Sequence, residues 1–264
     1  MSFQEQDSLR YFSFESLAGE ALLQAVFTRR GGASTAPWAS LNLGGTVGDD
    51  PKHVGENRQR AFQALGLAVE SLFDVWQVHS ADVLIADRPR PLDEPHRQAD
   101  AILTDKIGVT LFMRFADCVP IFLYDPRRRA IGMVHAGWKG TLNQVARLAV
   151  EAMQAAYHSN PAEILAAVGP SIGPHHYEVG PEVAVQVRQI FGAESVGLIQ
   201  PSNSHGPAVK FDLWNANRLV LERAGVRQVE IAGICTACHP QDWYSHRGEQ
   251  GKTGRFGAFF ALEK

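Results

Sequence analysis

Residues 109–136, VTLFMRFADCVPIFLYDPRRRAIGMVHA, decide the fold class of this chain. Two apolar runs, 109–115 and 119–124, flank a short break at residues 116–118 and have the length and composition of buried strands. An Asp-Pro turn then predicts a third strand at 130–134. The stretch therefore predicts three consecutive buried strands, with polar side chains at the break and at the last strand end.

The rest of the chain mixes helices and strands. Apolar residues recur at helical spacing from residue 139 to residue 157, which predicts an amphipathic helix. The pattern also predicts helices at 181–191 and 213–224 and strands at 163–168, 228–234 and 256–262. These elements interleave without the regular alternation of a doubly wound sheet, so the pattern predicts an α+β protein. Because no linker or repeat divides the sequence, we expect a single domain over residues 1–264, with residues 1–25 as an N-terminal extension.

Composition excludes several classes of protein. The chain has 264 residues, of which 45% are hydrophobic, and a net charge of −3 gives no reason to expect nucleic acid as a partner. No apolar run approaches the roughly 18–20 residues that span a membrane, and the N-terminus lacks the features of a signal peptide. We therefore expect a cytoplasmic protein without a membrane partner. The oligomeric state is not indicated by the sequence. An odd number of cysteines, three, argues against a disulfide framework.

Three residues form a candidate metal set. His79 lies in WQVHSADV, Cys118 in the break of residues 116–118, and His135 in GMVHAGWKGT. Two imidazoles and one thiolate suit zinc, and three protein ligands leave a fourth tetrahedral position open, as in catalytic zinc sites. The separations follow no short metal motif, so folding must bring the three together. A buried apolar cysteine and two hydrogen-bonded loop histidines are the alternative interpretation.

Further segments carry a family resemblance. They are FTRRGGAS (27–34), LNLGGTVGDDPKHVGENR (41–58), QADAILTD (98–105), GPSIGPHHYEVG (169–180) and SHRGEQGKTGRFGAF (245–259). These segments and the three segments of the metal set, in their order along the chain, resemble the laccase-domain family. This family is also called the multicopper polyphenol oxidase or YfiH-like family. Members of that family are regarded as zinc-dependent purine nucleoside phosphorylases.

The resemblance implies a fold, an activity and a site. The fold is a single layered α/β/β/α domain with mixed sheets. The activity is phosphorolysis of adenosine, inosine, guanosine or methylthioadenosine, with adenosine deamination as a second reaction, so the partners are purine nucleosides and phosphate. The metal ligands are His79, Cys118 and His135, which hold Zn²⁺, with copper as the less favoured ion. Candidates for the substrate and phosphate pocket are Asn42, Arg58, Gln77, Cys235 and Arg247, with Arg255 as the other arginine of the tail (residues 245–259). Solvated surface charges are the alternative for the two tail arginines, and a turn followed by a helix start is the alternative for the segment that contains Arg58.

A proton must also move in either reaction. Asp117, beside the thiolate, and Asp82, three residues after His79, are the nearest carboxylates in sequence, and Asp117 is preferred as the general acid or base. With His79, Cys118 and His135 it completes the predicted catalytic set. Alternatively, both carboxylates cap loop N–H groups.

Three other motifs have competing interpretations. Residues 235–239, CTACH, match a haem-attachment or redox pattern, or half of a zinc site, but two loop cysteines beside the pocket are preferred. Gly251-Lys252-Thr253 lacks the leading glycine of a phosphate-binding P-loop. His175 and His176 are adjacent, and on an extended segment neighbouring side chains point to opposite faces, which argues against chelation by this pair.

Other functions stay open at this stage. A metal-free Cys-His hydrolase or deamidase could use Cys118 as nucleophile and His135 as base, and a role in editing peptidoglycan precursors would fit such an enzyme. A copper polyphenol oxidase, or laccase, requires several copper sites, and one His/His/Cys set falls short of them. A non-catalytic binding module is disfavoured by the open metal position.

Overall fold

The computed structural model describes residues 2–19, 21–202 and 208–263. Its strands are β1 (Ser2–Gln6), β2 (Leu9–Ser13), β3 (Leu22–Phe27), β4 (Leu72–Phe73), β5 (Val83–Ile85), β6 (Ala101–Thr104), β7 (Thr110–Phe115), β8 (Val119–Asp125), β9 (Ala130–Ala136), β10 (Leu165–Val168), β11 (Glu178–Val179), β12 (Ile199–Pro201), β13 (Val209–Phe211), β14 (Gln228–Ile231) and β15 (Phe256–Leu262). Its α-helices are α1 (Pro51–Ala64), α2 (Trp138–Leu142), α3 (Val145–Tyr157), α4 (Pro181–Phe191), α5 (Ser195–Leu198) and α6 (Leu213–Arg223). None of these helices is long and apolar enough to cross a membrane.

Most strands belong to two six-stranded mixed sheets. The first sheet has the order β1-β2-β3-β15-β7-β4, and the second has the order β14-β10-β8-β9-β6-β5. A small third sheet, formed by strands from the second half of the chain, has the order β11-β13-β12. Antiparallel pairs dominate, although β4 with β7, β5 with β6 and β10 with β14 are parallel. The irregular order confirms the expected mixed α+β class.

The hydrophobic core of the described residues has three clusters, one between the two sheets and one on the outer face of each sheet. Between the two sheets, Phe122 and Met133 of the second sheet pack in one cluster with Met113 and Phe260 of the first. The outer face of the first sheet packs on α1 in a cluster that contains Phe62. The outer face of the second sheet packs on α3 and α6, in the largest cluster. Sheets buried on both faces give continuous apolar strands, and the resulting order of layers is the α/β/β/α arrangement implied by the family resemblance.

The predicted elements around the break of residues 116–118 are confirmed, with one correction. Strands β7, β8 and β9 cover the three predicted runs, and β15 spans the predicted residues 256–262. The predicted single helix after residue 139 is wrong, because it is interrupted at Gln144, whose φ of 58° is left-handed, and so forms α2 and α3. Thr141 of α2 accepts a hydrogen bond from Asn217 of α6 at 3.0 Å. Such a long-range contact has no signal in local periodicity.

Candidate metal centre and cavity

The three candidate ligands come from places where the chain leaves or joins the two sheets. His79 lies in the connection from β4 of the first sheet to β5 of the second, which we call the first crossover (residues 74–82). Cys118 lies in the shorter connection from β7 to β8, the second crossover (residues 116–118). His135 is on β9, paired with Pro120 of β8. Both crossovers therefore reach the same end of the sandwich, which explains how ligands 39 and 17 residues apart in sequence converge.

The ligand atoms of the triad are close enough to share one ion. One ligand atom each from His79, Cys118 and His135 lies within 4.8 Å of the other two. Cys118 Sγ is 3.9 Å from His79 Nε2, and the two imidazole rings are 5.0 Å apart between centroids in an edge-to-face arrangement. A tetrahedral zinc site places an imidazole nitrogen and a thiolate sulfur roughly 3.6 Å apart. The observed separation differs from this by a few tenths of an ångström, so the donor set fits a metal.

Asp100 orients the site, although no sequence motif marks it as a functional residue. Its Oδ1 accepts a hydrogen bond from His135 Nδ1 at 2.7 Å, which leaves Nε2 of that ring for the metal. Its Oδ2 accepts from the backbone N–H groups of Val78 and Ser80, at 3.1 and 2.6 Å, on either side of His79. One buried carboxylate thus fixes the ring of one ligand and the loop of another, as outer carboxylates do in zinc sites. The segment QADAILTD contained this residue, but only its position beside a histidine reveals its role.

The electrostatics of the triad favour a thiolate. Burial acts to raise the pKa of the Cys118 thiol, but the charges and hydrogen bonds of His135 and His79 outweigh burial and lower that pKa. Burial acts to lower the pKa of His135, whereas Cys118 and Asp100 raise it. Burial would also raise the pKa of Asp100, yet the hydrogen bond from His135 and those from the backbone lower it. The deprotonated sulfur that metal binding requires is therefore favoured by the protein itself.

Gly137 leaves the space in which the ligands meet. A Cβ at this position would lie 2.8 Å from Cys118 Sγ and 3.2 Å from His79 Cδ2. Those contacts are shorter than the van der Waals separations of a packed interior. A side chain here would therefore displace two ligands, so the glycine immediately after β9 is part of the site.

A cavity of about 310 Å³ opens on the triad. That volume lies at the lower end of small-molecule sites. Its lining residues are His79, Ala116, Asp117, Cys118, Gly137, Trp138, Lys139, Ile172, Tyr177, Leu213, His246 and Arg247. A larger groove between β1, β2 and β3 has none of the histidines or cysteines of the described chain in its lining. The combination of aromatic walls, two cations and a metal-ligand set identifies the smaller cavity as the candidate active site.

Asp117 joins the second crossover to the segment that carries Ser245 and Arg247. It has a left-handed φ of 77°, and its Oδ1 accepts hydrogen bonds from the hydroxyls of Thr236 and Ser245 at 2.7 and 2.8 Å. Its Oδ2 accepts from the backbone N–H of Arg247 at 2.6 Å. With both oxygens accepting, the carboxylate has the surroundings of a positioning group, and the expected role in proton transfer is not supported by them. Asp82, the other candidate, is exposed.

Arg247 is the only one of the five predicted pocket residues that lines the cavity. Its guanidinium lies 5.3 Å from the centroid of the Tyr177 ring, and Nη1 donates to the carbonyl of Glu178 at 2.8 Å. Lys139 of α2 supplies a second cation. Helix α2, which carries Lys139, has only five residues. Burial lowers the pKa of Arg255, the other tail arginine, whereas the negative charges of Cys118 and Asp117 act to raise it.

The other predicted pocket residues support the loops around the cavity. Asn42 is fully buried and accepts from the N–H of Arg255 at 2.8 Å. Gln77 is joined to Arg114 of β7, to which its Nε2 donates at 2.8 Å. Arg58 donates to the carbonyl of Leu43 at 3.1 and 3.2 Å. None of these three residues is among those that line the cavity, and each is instead hydrogen-bonded to the backbone of a neighbouring segment.

Cys235 and the adjacent histidines also differ from expectation. Cys235 is buried beside the cavity but does not line it, and it begins the short 3₁₀ turn Thr236–Cys238. His175 and His176 lie in a turn, so their side chains do not point to opposite faces; the ring centroids are 4.8 Å apart. The expected extended backbone at this pair is wrong, so the argument against chelation that was based on it does not apply.

Comparisons with known proteins agree with this geometry. The family model described as multi-copper polyphenol oxidoreductase laccase matches residues 23–263. A protein of Deinococcus radiodurans named purine nucleoside phosphorylase is 40% identical over 244 residues, which cover 92% of this chain and 90% of the relative. The Escherichia coli protein named purine nucleoside phosphorylase YfiH is 35% identical over 89% of this chain and 91% of its own. The crystal structure of YlmD from Geobacillus stearothermophilus superposes with a TM-score of 0.91, at 35% identity and 99% coverage of both chains. The family model, the sequence relatives and the fold thus agree, and the chain belongs to the multi-copper polyphenol oxidoreductase laccase family, the laccase-domain or YfiH-like family.

Proposed function

We propose that this chain is a zinc-dependent purine nucleoside phosphorylase that accepts adenosine, inosine, guanosine or methylthioadenosine, with adenosine deamination as a second reaction of the same site. The observation that carries the proposal is the convergence of His79, Cys118 and His135 on a cavity whose wall contains Arg247 and Lys139. Relatives named purine nucleoside phosphorylase, at 35–40% identity over most of the chain, support it. We further propose a single-domain cytoplasmic enzyme.

The metal we propose is zinc. A thiolate with two imidazoles is a ligand set that zinc prefers, and three protein ligands leave one position for water or substrate. When bound, zinc at such an open site supplies a Lewis acid and an activated water. Asp100 supports this assignment because it holds His135 in the tautomer that presents Nε2.

The chain's own groups account for substrate binding. Trp138 and Tyr177 give the cavity aromatic walls, against which a purine ring can stack. Phosphorolysis replaces the base at ribose C1′ by phosphate, so an anion must bind close to the sugar. Arg247 and Lys139 are the two cationic side chains of the lining, and a guanidinium can contact phosphate through two N–H groups. Asp117 holds Arg247 in place through the backbone N–H at 2.6 Å.

The first test is phosphate-dependent release of hypoxanthine from inosine. We expect His79→Ala and Cys118→Ala to reduce this release to background, because each removes a proposed ligand. His239→Ala is the matched control, since His239 is exposed and does not line the cavity. Circular dichroism and unfolding curves establish that the variants are folded. Phosphorolysis at the wild-type rate by both ligand variants would overturn the proposal.

A second candidate function is a metal-free Cys-His hydrolase or deamidase, including one that edits peptidoglycan precursors. The order thiol, imidazole and carboxylate in Cys118, His135 and Asp100 favours it, because it is the arrangement of an activated nucleophile with an oriented base. A chelator separates the two functions. The phosphorylase loses activity on chelation and regains it when zinc is returned, whereas a cysteine hydrolase keeps its activity. The metal content of the purified protein also distinguishes zinc from the copper that a polyphenol oxidase, or laccase, requires.

A further inference from the structure

A second group of potential metal ligands lies outside the cavity. His175, His176 and Cys238 each offer one ligand atom within 4.8 Å of the other two. They come from two segments that the fold places side by side, because Ser171 and Cys235 pair through an isolated parallel β-bridge. We call these segments the histidine turn (residues 171–177) and the cysteine turn (residues 235–238). None of the four His and Cys residues in these turns belongs to the first triad or to the cavity lining.

The distances in this group are close to those of a metal site. His175 Nε2 lies 3.0 Å from Cys238 Sγ. Ligand atoms around a tetrahedral zinc ion are separated by roughly 3.3–3.8 Å. Side-chain rotations of exposed residues can supply the remaining adjustment, and all three residues are exposed. A metal could therefore enter from solvent without opening the fold.

Cys235 is the candidate fourth donor, and it is a buried thiol beside the group formed by His175, His176 and Cys238 rather than within it. Its Sγ accepts the backbone N–H of Gly173 at 3.2 Å. Burial and the neighbouring Cys235 raise the pKa of the Cys238 thiol. A Cβ on Gly173 would lie 3.1 Å from Cys235 Cβ and 2.6 Å from a carbon of the His175 ring. The glycine therefore permits the close approach of the two turns.

We propose that Cys235, Cys238, His175 and His176 bind a second zinc ion as a closed Cys₂His₂ site. Four protein ligands leave no open position, so this ion has a structural role, unlike the ion held by the first triad. It joins the histidine turn, which carries Ile172 and Tyr177 of the cavity wall, to the cysteine turn. Thr236 of the cysteine turn in turn donates to Asp117. The site would thus fix two neighbouring walls of the cavity.

The test is the number of zinc ions that each chain retains. The full-length protein is purified under reducing conditions, desalted and analysed for zinc, copper and protein concentration. We expect two zinc ions in the wild type, one in Cys118→Ser, one in Cys238→Ser and in His175→Ala, and none in Cys118→Ser/Cys238→Ser. His239→Ala, which alters the exposed histidine next to Cys238, should retain two.

Thermal unfolding gives a readout that does not depend on activity. Removal of zinc should lower the unfolding midpoint of Cys118→Ser, whose remaining ion is the structural one, and zinc should restore it because a ligand of the folded state stabilises that state. The double variant should not respond to zinc. Equal zinc content in the wild type and Cys238→Ser overturns the second site, as does copper in place of zinc or one zinc ion in the reduced wild type. Unchanged zinc content in Cys118→Ser argues instead against the first site, so the two proposals fail separately.

Discussion

Replacement of Asp100 by asparagine tests how the site is oriented. In the protein, Oδ1 accepts from His135 Nδ1, and Oδ2 accepts from the N–H groups of Val78 and Ser80. Asparagine keeps the shape but converts one oxygen into an NH₂ donor. If this donor faces His135, the ring must adopt the tautomer that places a proton on Nε2, where the metal would bind. If it faces the backbone, two N–H groups lose their acceptor and the loop that carries His79 is released.

Either orientation disturbs one metal ligand, so the expected loss can be estimated. Outer partners of ligating histidines contribute roughly 10- to 100-fold in metal affinity. We therefore expect Asp100→Asn to bind zinc about 10- to 100-fold more weakly, which corresponds to about 1.4–2.7 kcal/mol. The measurement is competition for zinc against a chromophoric chelator, with the first site isolated in a Cys238→Ser background.

Asp74→Asn is the matched control. Asp74 is another buried carboxylate beside a histidine, with His96 Nε2 at 3.0 Å and a salt bridge from Arg90 at 2.8 Å, but it has no contact with the triad. Breaking a buried ion pair costs about 3–5 kcal/mol of stability. We expect this variant to unfold more easily in urea yet to bind zinc with wild-type affinity. The reasoning is refuted if Asp100→Asn binds zinc as the wild type does, or if the control loses affinity equally.

Three further predictions concern acid stability, the anion site and the room between the ligands. Although burial acts the other way, the pKa of Asp74 is lowered to about 2, chiefly by a histidine hydrogen bond and two arginines. Its contribution of about 2 kcal/mol to the free energy of unfolding is therefore complete above about pH 4 and is lost as the pH falls towards 2. The urea concentration at the unfolding midpoint should fall over that pH range in the wild type, and it should fall less in Asp74→Asn. Arg247→Ala should raise the KM for phosphate more than the KM for the nucleoside, and it should leave deamination unchanged. Arg58→Ala, a change outside the cavity, should reduce stability but leave the KM for phosphate unchanged. The same change of KM in both variants, measured by steady-state kinetics, would contradict this assignment. Gly137→Ala should lower zinc affinity, because the added Cβ would lie 2.8 Å from Cys118 Sγ; an unchanged affinity in the chelator titration would show that the ligands can move apart freely.

The sequence by itself determined the strands around residues 116–118 and the residue types of the candidate ligands. Apolar runs on either side of residues 116–118 predict β7, β8 and β9, because a strand buried on both faces must be apolar throughout. The chemistry of His79, Cys118 and His135 likewise follows from residue type. Their convergence did not follow from spacing, and the sequence supported it only through the resemblance to the laccase-domain family.

Only the tertiary structure decided which residues support those ligands. Asp100, Gly137 and the pairing of the histidine and cysteine turns depend on contacts between segments that are distant in the chain, and local periodicity carries no record of such contacts. The same reason applies to Arg58, which donates to the backbone carbonyl of Leu43 and does not line the cavity. Residue chemistry limits what a site can bind, but the two crossovers between the sheets determine which side chains meet there.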